Sequence, residues 1–243
     1  MTRKSIPDAA ARRPLFKRRL LAWFRRTGRN LPWRHTRDPY AILVSEIMLQ
    51  QTQVSRVEGY WPRFLTRFPT VADLALAKLH EVHEAWAGLG YYRRADNLHR
   101  LAREVVSHHE SRIPEDLPTL RALPGVGAYT AGAVMSFAFE HPEPAIDTNV
   151  ARVLRRAFHP RLPRGAAADR RLHATAQELL PRAGAAAWAT NQALMELGAL
   201  ICTARVKHCE ICPVRAACLT GSRQPRAVVR KISSVRSRSR GKV

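Results

Sequence analysis

The chain reads as an all-α protein. Between Leu15 and Leu219 apolar residues recur at three- to four-residue spacing, and no stretch alternates apolar with polar over strand length. N-capping residues followed by prolines punctuate the pattern. In order, residues 1–14 are basic and irregular and form an N-terminal extension, where Asp8 and two prolines argue against an organelle leader. Asp38 and Pro39 supply an N-cap and a proline at the first helical position, opening a helix that runs through YAILVSEIMLQQTQVSRV. Pro62 stands near the start of the next helix, WPRFLTRF. Further helices are expected at 71–76, 78–87, 92–109, 116–122, 128–139, 148–158, 168–181 and 188–201, with the Pro/Gly/Ala-rich stretch 159–169 as a linker. There is no internal repeat.

At 243 residues with 46% apolar content, the chain is long enough to bury a core as one large domain or two small ones. No run approaches the ~20 apolar residues of a membrane span, so a soluble intracellular protein without a membrane partner is expected. The net charge of +22, with 41 Lys+Arg against 19 Asp+Glu, points to polyanionic partners. Residues 221–243 hold eight Lys/Arg and no acid; this tail is expected to be disordered and to add sequence-independent phosphate affinity.

All four cysteines, Cys202, Cys209, Cys212 and Cys218, lie in one window spaced C-x6-C-x2-C-x5-C. Thiolates that close can converge on a tetrahedral zinc or on a [4Fe-4S] cluster, and spacing alone does not choose between them. A pair of disulfides fits poorly, because disulfide frameworks belong to small secreted domains.

Two further patterns carry chemistry. Leu123-Pro-Gly-Val-Gly127 lies between two short helical patterns, and its glycines would let backbone N–H groups approach an anion as the next helix points its positive end the same way. An ordinary helix-helix turn is the plainer reading. Asp147 follows twenty residues later at the start of another helix, where a simple N-cap is the plainer role. On the helix from Pro39, Glu46, Gln50 and Gln53 fall at i, i+4 and i+7, a polar stripe on an otherwise apolar helix. Taken alone, that stripe reads as a solvated face.

Together, LPGVG, Asp147 and the four-cysteine window resemble the helix-hairpin-helix DNA glycosylase superfamily that includes endonuclease III. LPWR (31–34), DPYAILVSEIMLQQTQV (38–54), FPTVADLA (68–75), GLGYYRRADNLH (88–99), LPGVGAYTAGAV (123–134) and NQALMELGALIC (191–202) are similar, within it, to the adenine DNA glycosylases of the MutY type. The likeness covers about residues 20–220. It implies a six-helix barrel over 32–143, with the helix-hairpin-helix near 116–139. It also implies an iron-sulfur domain assembled from 15–31 and 144–220, and a [4Fe-4S] cluster on the four cysteines.

The same resemblance assigns roles. Glu46 matches the general acid that protonates adenine, Asp147 the carboxylate facing the sugar, and Asn149 a neighbour that positions water or sugar. Tyr129 stands where bifunctional relatives carry a Schiff-base lysine. Since no lysine lies between Lys78 and Lys207, a monofunctional enzyme is expected. Tyr91 matches the aromatic wedge beside the orphan base, Gln50 and Gln51 the pair that fills the gap left by the flipped base, and Trp33, Arg34 and Gln192 the adenine pocket. Trp33 could equally be core, and Tyr92 reads as packing. Gly125, Val126 and Gly127 match the turn that grips a DNA phosphate.

The expected activity is removal of adenine opposite 8-oxoguanine or guanine in double-stranded DNA, by a cytoplasmic, nucleoid-associated monomer. In two places the chain departs from the family. Full-length members add a C-terminal domain resembling a Nudix hydrolase, whereas this chain ends 25 residues after Cys218, so weaker discrimination of 8-oxoguanine is expected. Thr148 stands where Asp-Gly-Asn is the commoner family reading. The alternatives are a thymine or uracil glycosylase acting opposite guanine and a non-catalytic DNA-structure binder.

Overall fold

A computed structural model describes residues 9–223. Among them every regular element is helical, beside one isolated bridge between Cys202 and Lys207. The helices are α1 (Ala9–Thr27), α2 (Pro39–Leu49), α3 (Val54–Arg67), α4 (Val71–Leu76), α5 (Leu79–Trp86), α6 (Arg93–His108), α7 (Leu117–Ala122), α8 (Ala128–Phe137), α9 (Thr148–Phe158), α10 (Ala166–Leu179) and α11 (Gly184–Leu200). Short 3-10 turns occur at Pro32–Arg34, Arg215–Ala217 and Gly221–Arg223. The basic tail beyond residue 223 lies outside the described residues.

Most boundaries follow local chemistry. Asp38 accepts from the N–H groups of Tyr40 and Ala41, and Pro39 costs nothing at the first position of α2. Thr70 and Asp73 form a reciprocal capping box at α4, and Asp116 caps α7 through Thr119 N–H. Each such cap contributes ~1 kcal/mol.

Three boundaries differ from the sequence reading. α1 starts at Ala9, inside the stretch expected to be irregular, and carries Pro14 in its interior. Burial of Phe16, Leu20 and Trp23 supplies the tertiary support that offsets the hydrogen bond a proline removes. The helix expected to run from Pro39 through Val57 is two helices. α2 stops at Leu49, Gln50 and Gln53 are extended, Gln51 takes a φ of 57°, and Pro62 falls within α3. The linker is also shorter than expected, because α10 begins at Ala166.

Two apolar cores organise the helices. One joins α2 to α8 through Leu43, Ile47, Phe64, Leu74, Trp86, Leu98 and Val134. The other brings Phe16, Leu20 and Trp23 of α1 against Val153 and Leu154 of α9, Leu172 of α10 and Leu194 and Leu197 of α11. Met195 of α11 packs on both. At ~1.5–3 kcal/mol per fully buried large apolar side chain, contacts distant in sequence hold these lobes.

α8 lies against the strap at 144–145 through Gly132, where an added Cβ would stand 2.4 Å from the backbone oxygen of Pro144. Backbone on both sides leaves nothing flexible to yield. Gly132→Ala is expected to destabilise the fold by about 1–3 kcal/mol, read as a lower midpoint in urea unfolding. An unchanged midpoint would show that the strap moves freely.

Candidate active site

The stripe expected on α2 does not exist as a solvated face. Glu46 is 3% exposed, flanked by Ile47 and Met48, which are fully or nearly buried, and the helix ends before Gln50 and Gln53 can continue its row. Its partner comes from α8. Tyr129 Oη donates to Glu46 Oε2 at 2.6 Å. Burial pushes the Glu46 carboxyl up to about 7, with the Asp147 charge adding to the rise, against the Tyr129 bond and the Arg34 charge, which favour the carboxylate. Burial also holds the Tyr129 hydroxyl well above its ordinary value, so it stays a donor.

Asp147 caps α9, accepting from Val150 N–H at 2.7 Å through Oδ1 and from Asn149 Nδ2 at 2.7 Å through Oδ2. The far end of the Asn149 amide accepts from Arg152 Nη2, also at 2.7 Å. Arg152 is itself tied to the carbonyls of Gly198 and Cys202. Asn149 therefore links Asp147 to Arg152. Gly198 lets the two helices approach, since a Cβ there would meet Asn149 Cβ at 2.7 Å.

Arg34 and Gln192 are brought together as expected, with Arg34 Nε donating to Gln192 Oε1 at 2.8 Å. Trp33 is buried in the first core, edge-on to Trp61, so its packing role is real. Glu196, which the sequence reading missed, accepts from both Arg29 and Arg34 and is wholly buried. A lone acid on the apolar helix α11 was the available signal.

Beside this centre, Gln51, Gln53, Arg56, Gly88 and Tyr91 line an open cleft of about 550 Å³. Gln51 and Tyr91 sit in left-handed backbone, φ 57° and 50°, which costs non-glycine residues energy and is retained only where surroundings enforce it. Arg94 enforces it here, also unforeseen. Its guanidinium donates to the carbonyls of Ile47, Met48 and Gln50 on one side and of Leu89 and Gly90 on the other. Gln50 itself reaches Thr130 Oγ1 at 3.3 Å. Tyr92, expected to pack, is 42% exposed and meets only the edge of His83 among the ring contacts.

At the hairpin, Gly125 takes the left-handed φ of 78° that the turn requires, and Gly127 caps α8. Between the two glycines, Val126 faces inward. Its N–H donates to Leu123 O at 3.1 Å and closes the turn, and its side chain is buried.

The four cysteines are free thiols lining one cavity with Arg156 and Lys207, so no disulfide is formed. Among the described residues no group of three or more His, Cys, Asp or Glu is arranged to hold a metal ion. Arg156 Nη1 nonetheless donates to Cys202 Sγ at 3.4 Å and Gly221 N–H to Cys218 Sγ at 3.2 Å, donors suited to thiolates. Burial pushes the Cys212 thiol up to about 12, so thiolates at this site need a cationic centre to form.

Comparison with known proteins fits this geometry. The family described as HhH-GPD superfamily base excision DNA repair protein matches residues 44–182. An adenine DNA glycosylase of Mycobacterium tuberculosis (strain CDC 1551 / Oshkosh) is 45% identical over 209 residues, covering 86% of this chain and 68% of that protein. Among solved structures, a thermostable thymine-DNA glycosylase matches with a TM-score of 0.80 at 30% identity, covering 88% of this chain and 99% of its own. A trapped endonuclease III–DNA covalent intermediate matches with a TM-score of 0.73 at 25% identity, covering 87% of this chain and 96% of that one.

A buried carboxyl near 7 has a measurable cost. The unfolded chain releases this proton near its ordinary value of 4.5, the folded chain near 7, so folding loses stability as pH rises between the two. Glu46→Gln should therefore stabilise the fold at pH 8, by up to roughly 3 kcal/mol, and by little at pH 4. Denaturant midpoints of both proteins at the two pH values test this; an equal gain at both would remove the carboxyl from the account.

Proposed function

The chain belongs to the HhH-GPD superfamily of base excision DNA repair proteins, and on that premise we propose that it removes adenine from DNA by hydrolysing the N-glycosidic bond and leaves the sugar-phosphate backbone uncut. The observation that carries the proposal is the buried Glu46 carboxyl, held by Tyr129 and protonated in part at neutral pH. An adenine anion is a poor leaving group, and a proton delivered to N7 makes it a good one. As the C1′–N9 bond breaks, its electrons leave with the purine and positive charge develops on the sugar. Asp147, fixed by Val150 and Asn149, is the carboxylate that stabilises that charge, as in glycoside hydrolysis. Water then adds at C1′ and returns a proton to Glu46.

Tyr129 supports the monofunctional reading. It occupies the hairpin helix with a hydroxyl that is bonded to the acid, and with no lysine between Lys78 and Lys207 neither the hairpin nor the helix after it supplies an amine to form a Schiff base. Arg34 and Gln192 would line the base pocket, while Tyr91 and Gln51, presented by strained backbone at the open cleft, would meet the duplex beside the flipped base. Recognition of 8-oxoguanine or guanine opposite adenine is assigned to that cleft. Phosphates would be gripped by Gly125, Gly127 and the first turn of α8. The likeness to a thymine-DNA glycosylase favours a second reading, removal of thymine opposite guanine.

Cys202, Cys209, Cys212 and Cys218, four thiols around one cavity with the Arg156 and Gly221 donors aimed at two of their sulfurs, would hold a [4Fe-4S] cluster. When bound, it supplies a cross-link for the loop after α11.

Two experiments test these proposals. Single-turnover assays on A:8-oxoguanine, A:G, T:G and U:G duplexes should release adenine, with strand breaks only after alkali. Glu46→Gln should lose at least ~10²-fold in excision while retaining duplex binding. Release of thymine alone would establish the second reading, and near-normal excision by the variant would acquit Glu46. Anaerobically purified protein should be brown, with about four irons and four sulfides per chain. An active, colourless preparation containing one zinc would exclude the cluster.

A further inference from the structure

The second lobe meets Arg34 through a carboxylate. Glu196 of α11 has no solvent exposure, an arrangement tolerated only with full pairing. Arg29 meets it with two parallel bonds, Nε to Oε1 at 2.8 Å and Nη2 to Oε2 at 3.0 Å, and adds its backbone N–H to Oε1 at 3.0 Å. Arg34 Nη2 takes Oε2 at 2.9 Å. The rest of the Arg34 guanidinium is spent on Arg29 O at 2.7 Å and on Gln192 Oε1. Arg34 is thus locked in one orientation, with Glu196 behind it and the base-pocket glutamine in front.

Arg34 is also one of the groups that act on Glu46. The others are Tyr129 from α8 and Asp147 from the start of α9. α3 packs on α2 with Val57 and Phe64 and a Trp61 bond to Ala41 O, and Arg94 of α6 addresses the carbonyl end of α2. Arg34 is therefore the cation among these groups that favours the Glu46 carboxylate, the form without a proton to give.

We propose that Glu196 is a positioning residue for the reaction, whose carboxylate fixes Arg34 against Gln192 and offsets part of the guanidinium charge on the Glu46 side of the site. Arg29 completes the device. It gives Glu196 enough donors to hold its carboxyl below the ordinary glutamate value, although burial works in the opposite direction. The inference rests on the reading of Glu46 as general acid, and it gives α11 a part in setting the pH range of the enzyme.

The test is the pH profile of single-turnover excision on an A:8-oxoguanine duplex, with folding checked by duplex binding and thermal melting. Wild-type rates should fall above a midpoint near 7, the value about which the Glu46 carboxyl titrates. Glu196→Gln keeps an acceptor for the arginines but removes the negative charge, so the midpoint should move down by about one pH unit, with ~10-fold loss on the alkaline side. Arg34→Gln removes the cation and should move the midpoint up, whatever its effect on the plateau. A Glu196→Gln profile lowered uniformly, with its midpoint in place, would reduce Glu196 to a structural role and overturn the proposal. If that variant does not fold, Arg34→Gln decides alone, an unmoved midpoint being the overturning result. Failure of the underlying reading looks different: the wild type would show no alkaline fall, and Glu46→Gln would retain excision.

Discussion

Everything at the centre of this molecule follows from placing one carboxyl, Glu46, where water cannot reach it. A helix covered on every side must be apolar nearly all round, and α2 buries every residue from Tyr40 to Met48. A glutamate in that run would be an error in packing terms unless a donor met it. Tyr129 is that donor, and it arrives only because α8 lies close against α2, itself held against the strap at Pro144 by the missing side chain of Gly132. That strap leads into Asp147. One burial thus ties Glu46, its hydroxyl partner and the Asp147 carboxylate into a rigid set, which is the condition for keeping a buried carboxyl in an unfavourable protonation state.

The edges of the site are built by different physics. Gln51 and Tyr91 occupy left-handed backbone on two separate loops, and Arg94 binds carbonyls from both. Desolvation disfavours its charge, with no carboxylate among its hydrogen-bond partners to compensate, so carbonyl dipoles, the Thr52 hydroxyl and the ring faces of Trp86 and Tyr91 solvate this cation. The loop break after Leu49 supplies those carbonyls. Ending α2 early costs helical hydrogen bonds yet frees the oxygens of Ile47 and Met48 for Arg94, and it turns Gln51 out to the cleft. The second lobe contributes in a third way, through charged and polar groups in series: Glu196, Arg29 and Arg34 on the pocket side, and Arg152 and Asn149 behind Asp147.

Much of this was legible in the residues themselves. Caps at Asp38, Thr70, Asp116 and Asp147 are local chemistry, decided by side chains two or three residues from the N–H groups they satisfy, and helical periodicity is local too. The all-helical fold, the positions of most helices and the convergence of the cysteines could therefore be read in advance, and the motif series pointed to Glu46, Tyr129 and Asp147. What periodicity could not show is where tertiary demand overrides it. A pattern continuous from Pro39 to Val57 is broken because Arg94, more than forty residues away, draws on the carbonyls of the break. Proline at position 14 sits inside a helix because α9 and α11 cover its apolar face.

The sequence by itself determined the fold class, the basic surface that suits a polyanion, and the identities of the groups able to move a proton or bind a metal. Only the tertiary structure decided their state. Whether Glu46 is a solvated acid or a buried one near 7 depends on which helix covers it. Whether Val126 offers its N–H or spends it on a turn depends on the hairpin geometry. Likewise, Arg34 acts as a free cation or a neutralised one according to Glu196, more than 150 residues along the chain. Residue type sets what a group can do; solvation and the nearest charge set what it does, and both are properties of the neighbours that folding brings.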